Sequence, residues 1–201
     1  MLRYLQADRN QARPQALMIL HEEEAYFPAF AHAAVDQDRP VGEARTFHEH
    51  THNLYHIVLY TRSSGYYVRS GTRYRAEPGT LVIVSPGQSH DFVSQRGSSV
   101  YSEITFAFGT KAGKVLTLPF GQILNAYTGI AGQLRSEIQL PRDTTQELVI
   151  LMIQIMDYLQ SPSSMSDFYA RRALASVFDV IVAHCYAEGI PGAAPGPDNP
   201  I

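Results

Sequence analysis

The sequence is poor in cysteine, lacks tryptophan and has no long hydrophobic run. Cys185 is the single cysteine in 201 residues, so no disulfide can form within the chain and a reducing compartment is expected. The N-terminus has no apolar segment of the kind found in signal peptides. The most apolar stretch, from Leu148 to Met156, is too short to cross a bilayer and includes Gln154. We therefore expect a cytoplasmic protein without a membrane partner.

Positive charge is also scarce. The chain has 16 Lys and Arg residues against 19 Asp and Glu residues, a formal net charge of −3. A module that neutralises several DNA phosphates by itself needs an excess of basic residues, so this composition argues against direct contact with nucleic acid. The hydrophobic content of 45% is sufficient for one globular domain of generous size.

Histidine, in contrast, is concentrated in one segment. Five of the eight histidines lie between residues 45 and 92, namely His48, His50, His52, His56 and His90. The first four share one parity, and residues two apart in a strand point to the same face. The fifth follows an apolar strand and a Pro-Gly turn. If the two strands pair, His90 faces the first four.

Converging imidazoles can bind a metal ion. Neutral histidine is a common ligand of zinc, nickel and iron, and a site needs three or four such groups at roughly 2.0–2.1 Å from the ion. The sequence therefore predicts a divalent transition metal (Zn, Ni or Fe) bound by His50, His52, His56 and His90, with His48 at the rim. The alternative is a histidine-rich strand that lines a polar pocket without any metal.

Short strands dominate the chain as far as residue 108. They are predicted at residues 17–20, 29–35, 43–60, 66–69, 72–76, 80–84 and 100–108, with turn residues between them. Such short strands, spaced about ten residues apart, favour an antiparallel barrel or jelly roll. In the last strand Tyr101, Glu103 and Thr105 share one face, and the apolar residues from Val100 to Phe108 share the other.

Two helices are predicted to follow. Thr144 and Glu147 have the spacing of a capping box at the start of a helix that runs to about Gln160, and a second helix runs from about Ser166 to Glu188. The first helix is apolar around nearly its whole circumference, so one barrel wall cannot cover it. A homodimer through this antiparallel hairpin is therefore predicted, with interface residues Leu151, Ile155, Met156, Leu174, Phe178 and Ile181. The alternative is that the hairpin packs on its own barrel.

The histidine segment resembles the two motifs of the cupin barrel. The first is His50-x-His52-x3-His56 followed by glycines, and the second is Pro86-Gly87-x-x-His90. In metal cupins the first motif supplies two histidines and a glutamate, and here His56 stands where the glutamate usually does. The resemblance implies a mainly β fold, a cupin-type double-stranded β-helix (jelly-roll barrel), followed here by the antiparallel α-helical hairpin.

The order of elements over about residues 17–188 resembles the N-terminal regulatory half of AraC-family transcription regulators. The resemblance implies an N-terminal arm (1–16), a cupin barrel (17–142), a dimerising helical hairpin (143–188) and a linker (189–201) to a DNA-binding domain that this chain does not contain. It also implies a small-molecule effector, a homodimer, and contact with DNA through that further domain only.

Three functions remain open at this point. The first is an effector-sensing and dimerisation domain, the second a metal-dependent cupin enzyme such as a dioxygenase or isomerase, and the third a dimerisation module with an empty barrel. The candidate effector-binding residues are His48, Tyr55, Tyr66, Tyr101 and Glu103. Tyrosines at such positions also commonly fill a core.

Overall fold

A computed structural model describes residues 17–39, 49–62, 64–92, 99–135, 138–161, 163 and 165–188. The predicted arm, His48 and the predicted linker lie outside these residues. The elements within them, in chain order, are β1 (Ile19–His21), β2 (Glu24–Arg39), β3 (Tyr55–Tyr60), β4 (Gly65–Arg69), β5 (Thr72–Ala76), β6 (Thr80–Val84), β7 (His90–Asp91), β8 (Ser99–Gly109), β9 (Val115–Leu116), α1 (Phe120–Thr128), β10 (Gly132–Leu134), β11 (Ile138–Gln139), α2 (Arg142–Gln160), α3 (Ser166–Cys185) and β12 (Tyr186–Glu188).

Two antiparallel sheets form most of the β structure. The larger has the strand order β1-β2-β8-β3-β6-β11, with β9 also paired to β8, and the smaller has the order β5-β4-β7. Strand β3 is central, because Ile57 pairs with Ile104 of β8 on one side and with Ile83 of β6 on the other. The predicted mainly β, cupin-type fold is confirmed, and three helices accompany it.

The alternation of side chains along β3 separates two hydrophobic regions. Tyr55, Ile57 and Leu59 belong to a core that is shared with the helices. Val58 and Tyr60 point the other way, as period-2 geometry requires. They belong to a second set, called here the inner cluster, which draws on both sheets and consists of Val58, Tyr60, Tyr67, Tyr74, Ala76, Val82, Val84, Phe92 and Tyr101. The inner cluster therefore lies between the two sheets.

The β4–β5 hairpin closes on a glycine turn. Ser70 and Gly71 both have positive φ, at 51° and 78°, and two consecutive left-handed residues make the turn whose twist matches that of paired strands. The predicted parity of β8 is also confirmed, since Tyr101 lies in the inner cluster while Ile104 and Phe106 lie in the helix-facing core.

Strand β2 is longer than predicted. It runs from Glu24 to Arg39 without a break at Pro28, which pairs with Phe108 of β8. Proline is tolerated here because β1 covers only the first three residues of β2, so the side of Pro28 that lacks an N–H has no partner in β1. Two register shifts, after Phe30 and after Ala34, mark bulges, and bulges bend a strand and increase its twist.

The continuous histidine strand predicted for residues 43–60 is wrong where the structure describes it. β3 begins only at Tyr55, Asn53 lies in a bend, and His50 forms an isolated bridge with His90. A hydrogen bond to the turn after β6 holds this segment in place, because the N–H of Gly87 donates to the carbonyl of His52 at 2.9 Å. The chain therefore bends at Asn53 before it enters β3.

The start of α2 and the end of α3 differ from the prediction. Helix α2 begins at Arg142 behind Pro141, with no side-chain cap, and the hydroxyl of Thr145 bonds back to the carbonyl of Pro141 at 2.9 Å. The predicted capping box at Thr144 is therefore wrong, since that residue is already inside the helix and buried. Helix α3 ends at Cys185, because residues 186–188 pair with β10 as strand β12.

Four of the predicted interface residues are wrong, because they fill the chain's own core. Ile155, Leu174, Phe178 and Ile181 are fully buried within the monomer. The ring of Phe178, for example, lies 5.2 Å from that of Phe120 between centroids. The hairpin thus packs on its own barrel. The other two residues, Leu151 and Met156, are half-buried.

Candidate metal centre

Two of the predicted histidines face each other across an antiparallel bridge. The N–H of His50 donates to the carbonyl of His90 at 3.2 Å, and the N–H of His90 donates to the carbonyl of His50 at 3.1 Å. Residues that exchange both backbone hydrogen bonds lie directly opposite, with side chains on the same side of the ladder. Their ring centroids are accordingly 4.6 Å apart.

His52 and His56 complete a group of four neighbouring rings. The His52 ring lies 5.4 Å from that of His50, 4.8 Å from that of His90 and 4.7 Å from that of His56. The rings of His56 and His90 are 4.8 Å apart. The four imidazoles that the sequence pointed to are therefore brought together, although by a bend and a bridge rather than by one continuous strand.

Three of these residues form a group that can hold a metal ion. One ring nitrogen from each of His50, His52 and His90 lies within 4.8 Å of the others. Two nitrogens bound to one tetrahedral ion at 2.1 Å are about 3.4 Å apart, so a small inward movement suffices. His56 is adjacent to this group, since its Nε2 lies 2.7 Å from Nε2 of His52.

His90 contributes a lone pair without a partner. Its Nδ1 lies 2.8 Å from the carbonyl oxygen of Gln88, so Nδ1–H donates there and the neutral ring keeps its lone pair on Nε2. That Nε2 is buried and has no hydrogen-bond partner among the described residues. Burial lowers the pKa of His90 to about 4, with repulsion from His56 and His50 adding to the effect. The ring is therefore neutral at pH 7, as a metal ligand must be.

A directed chain of hydrogen bonds links His52, His56 and Glu103. The N–H of Leu54 donates to Nδ1 of His52 at 3.2 Å, so a neutral His52 carries its proton on Nε2 and donates to Nε2 of His56. His56 then donates from Nδ1 to the Glu103 carboxylate at 2.8 Å. If an ion binds Nε2 of His52, the proton must move to Nδ1 and the contact with Leu54 must break.

Glu103 orients the His56 ring through the hydrogen bond from its Nδ1. The carboxylate is buried and also accepts a hydrogen bond from Oγ1 of Thr105 at 2.8 Å. Burial by itself raises the pKa of the Glu103 carboxyl, but the hydrogen bonds from His56 and Thr105 outweigh it and hold that pKa below its usual value. An ionised carboxylate behind a histidine fixes the ring tautomer and aims the other nitrogen at a metal.

His52 is held neutral as well. Burial lowers its pKa, and repulsion from the charged forms of His56 and His50 lowers it further. Protonation of one ring therefore disfavours protonation of the next in this crowded group. The arrangement favours lone pairs over positive charges.

The predicted effector-binding residues divide into two groups. Tyr101 lies in the inner cluster and Glu103 contacts His56, so both are on the histidine side of the large sheet. Tyr55 was wrongly predicted, because its ring stacks on Phe106 in the opposite core and its hydroxyl donates to the carbonyl of Leu118 at 2.8 Å.

Tyr66 was also wrongly predicted. It lies on β4 next to Tyr67 and is not part of the inner cluster, because neighbouring residues of a strand point to opposite faces. The Arg73 guanidinium lies 3.9 Å from its ring centroid. His48 lies outside the described residues.

Sequence reasoning missed two residues at this site. The ring of Phe92 lies 5.1 Å from that of His90 and 5.7 Å from that of His56. Tyr60 shares the face of His56 on β3. Parity could have found both, because Phe92 is two residues after His90 and Tyr60 four after His56.

Comparison with known proteins finds one matching family. Residues 41–107 match the family described as the AraC-like ligand binding domain, and this segment contains all four histidines of the candidate site. No curated protein matches the sequence. Within the described residues no helix is long and apolar enough to cross a membrane.

Among solved structures, the chain is similar to a variant of salicylate 1,2-dioxygenase from Pseudoaminobacter salicylatoxidans. The two share 13% sequence identity with a TM-score of 0.30, and the match covers 77% of this chain and 45% of that one. The present chain therefore spans less than half the length of this neighbour.

Proposed function

We propose that the chain senses a small-molecule effector for an AraC-type transcription regulator through a metal in its barrel, because residues 41–107 match the family described as the AraC-like ligand binding domain. The observation that carries the metal is the buried Nε2 of His90, which has no partner among the described residues although three other imidazoles surround it. A metal ion would satisfy this lone pair.

The proposed ligands are His50, His52, His56 and His90. An all-imidazole donor set suits zinc, nickel or iron(II) better than it suits calcium or magnesium. When bound, the metal would supply a Lewis-acid centre at which an oxygen of the effector can bind. The protein contributes the orientation of the rings, because Gln88 fixes the tautomer of His90 and Glu103 fixes that of His56.

The inner cluster would contribute an apolar surface that excludes water from the same site. Phe92 contacts the rings of both His56 and His90, and its side chain excludes water from the inner side of the group. Exclusion of water strengthens electrostatic attraction between the site and an anionic ligand. The site would therefore select small molecules that carry a negatively charged oxygen.

The rest of the chain would connect binding to regulation. We assign residues 17–142 to the sensing barrel and residues 143–188 to a hairpin that supports a homodimer, with the arm at 1–16 and the linker at 189–201 on either side. DNA would be contacted only by a further domain beyond the linker. The bridge between His50 and His90 joins the metal centre directly to the backbone of two segments, so ligand binding there can shift both.

Elemental analysis of protein purified without chelator tests the metal. We expect about one transition metal per chain, and His90→Ala should abolish it because this variant removes the unpartnered ligand. His184→Ala is the control, since this histidine is exposed on α3, away from the cluster. Wild-type protein that contains no metal and takes none up from a zinc or nickel solution would overturn the proposal.

A metal-dependent enzyme is the second candidate. It is favoured by the three-histidine group, because three protein ligands leave coordination positions for substrate. Incubation of the metal-loaded protein with 4-hydroxycinnamate in air distinguishes the two functions. Recovery of the compound unchanged by mass spectrometry fits a sensor, whereas metal-dependent conversion or oxygen consumption fits an enzyme.

A further inference from the structure

The inner cluster contains a second buried polar atom without a partner. Tyr60 is fully buried, and its hydroxyl makes no hydrogen bond with any described residue. Its ring lies 6.0 Å from that of Tyr101 and 6.4 Å from that of Tyr67 between centroids. An unpaired buried hydroxyl destabilises a protein, and native structures rarely keep one without a reason.

Tyr60 lies at the other end of the inner cluster from the histidines. It shares the face of His56 on β3, and four residues of strand separate their Cα atoms by about 13 Å. Between them this face carries Val58, which is buried in the inner cluster. Apolar side chains of the inner cluster therefore lie between two unpartnered polar atoms, Nε2 of His90 and the hydroxyl of Tyr60.

The Tyr60 hydroxyl can act as a donor at any physiological pH. Burial raises its pKa far above the usual value, and the negative charges of Tyr101, Tyr67 and Asp91 would raise it further. A phenol that stays protonated needs an acceptor, and an oxygen atom on a ligand is the simplest one. At the histidine end, neutral imidazoles would leave the positive charge of a bound metal ion uncompensated. That charge would favour an anionic oxygen of the ligand.

We propose that Tyr60 is a second anchor for the effector, and that the effector is a flat aromatic carboxylate with an oxygen function at its far end. Its carboxylate binds at the histidine cluster, and its distal oxygen accepts a hydrogen bond from Tyr60. This proposal rests on the proposed function, because the carboxylate needs the metal centre.

The walls of the inner cluster favour an aromatic ligand over a sugar. A sugar presents many hydroxyl groups, and each would need a partner in a buried site. The cluster offers valines and aromatic rings instead, with Tyr67 stacked on Tyr74 at 5.0 Å. A ring with one polar group at each end matches both the apolar walls and the two unpartnered atoms.

The test is a thermodynamic cycle on the zinc-loaded protein by titration calorimetry. The probes are 4-hydroxycinnamate and 4-hydroxybenzoate, each compared with its analogue without the hydroxyl, cinnamate or benzoate. In the wild type the hydroxyl should tighten binding about tenfold for the probe of the better length, as one buried hydrogen bond does. In Tyr60→Phe this gain should disappear, because the isosteric ring keeps the wall and removes only the donor.

Tyr55→Phe is the matched control, since Tyr55 is also fully buried on β3 but faces the opposite core. It should keep the tenfold gain. The anchor is refuted if Tyr60→Phe keeps the gain as well, if none of the four probes binds saturably, or if D-glucose binds more tightly than all of them. Metal analysis of the same samples separates the failures: protein without zinc refutes the proposed function, whereas zinc-loaded protein with one of these results refutes the Tyr60 anchor alone.

Discussion

At the scale of single residues, the tautomer of His52 distinguishes the metal-free from the metal-bound state. The N–H of Leu54 donates to its Nδ1, so the metal-free ring should carry its proton on Nε2. Zinc should move that proton to Nδ1 as Nε2 becomes a ligand. Long-range ¹H–¹⁵N correlation spectra of histidine-labelled protein report both states. An Nδ1–H tautomer of His52 already present without metal would contradict the hydrogen-bond chain.

Glu103 should control metal affinity without touching the metal. Glu103→Gln keeps the shape of the side chain but removes the charge that holds the proton on Nδ1 of His56. We expect zinc affinity to fall about 10- to 100-fold, as for other carboxylates behind metal-binding histidines. Competition with a chromophoric chelator measures it. Glu147→Gln, which neutralises an exposed carboxylate on α2 instead, should change the affinity much less, and an equal loss in both variants would show a general charge effect.

The low pKa of His90 predicts a pH dependence of stability. Its pKa is about 4 in the folded chain, against 6.5 for an unperturbed histidine, so the unfolded state binds more protons between these values. Stability of the metal-free protein should therefore fall as the pH decreases from about 6.5 to about 4. Urea unfolding at several pH values measures the slope. His90→Gln, which cannot titrate, should reduce it, and an unchanged slope would contradict the neutral, buried ring.

At the scale of elements, the turn before β6 is sterically demanding. Gly79 has φ +93°, and a Cβ there would lie 2.6 Å from the Gln139 amide nitrogen and 2.8 Å from the carbonyl oxygen of Leu140. Gly79→Ala should lower the free energy of unfolding by about 2–4 kcal/mol, because backbone strain and a clash with β11 add. Gly113→Ala shares the positive φ but meets nothing within 4 Å, so it should cost about 1 kcal/mol. Urea unfolding that gives equal losses would exclude the clash.

The elements with strong local sequence patterns could be predicted, and those without such patterns could not. Strand β6 and the parity of β8 were predictable because their residues alternate or are continuously apolar between turn residues. The start of α2 was not, because Pro141 fixes the first turn although Thr144 and Glu147 have better capping chemistry. β12 was missed because its partner, β10, lies more than fifty residues earlier in the chain, and no local pattern encodes that pairing.

The site was predictable in its members but not in its construction. Four histidines stood out by number and spacing, and the structure brings their rings together. Their convergence depends on the bridge between His50 and His90 and on the bend after His52, which are long-range and irregular features. Glu103 acquires its role from His56 on another strand, and Tyr60 stands out only because its buried hydroxyl has no partner among the described residues, so sequence alone could not assign either role.

At the scale of the whole molecule, the exposed face of α2 offers a surface for the proposed dimer. Ile150 is 56% exposed and Ile153 is 37% exposed, and residues three apart lie on one face of a helix. We expect the double variant Ile150→Glu and Ile153→Glu to be monomeric in light scattering and as stable as the wild type monomer. Ile155→Glu should instead unfold the chain, since Ile155 is fully buried. A wild type that is monomeric at high micromolar concentration would contradict the dimer.

We propose that the imidazoles of His50, His52, His56 and His90 hold one metal ion between the sheets. X-ray absorption spectroscopy at the edge of the bound metal measures this most directly, because it reports the type, number and distance of the ligand atoms. We expect three or four imidazole nitrogens at about 2.0–2.1 Å, and one fewer if any metal remains in His90→Ala. A shell of oxygen atoms alone, or a spectrum that His90→Ala leaves unchanged, would contradict it.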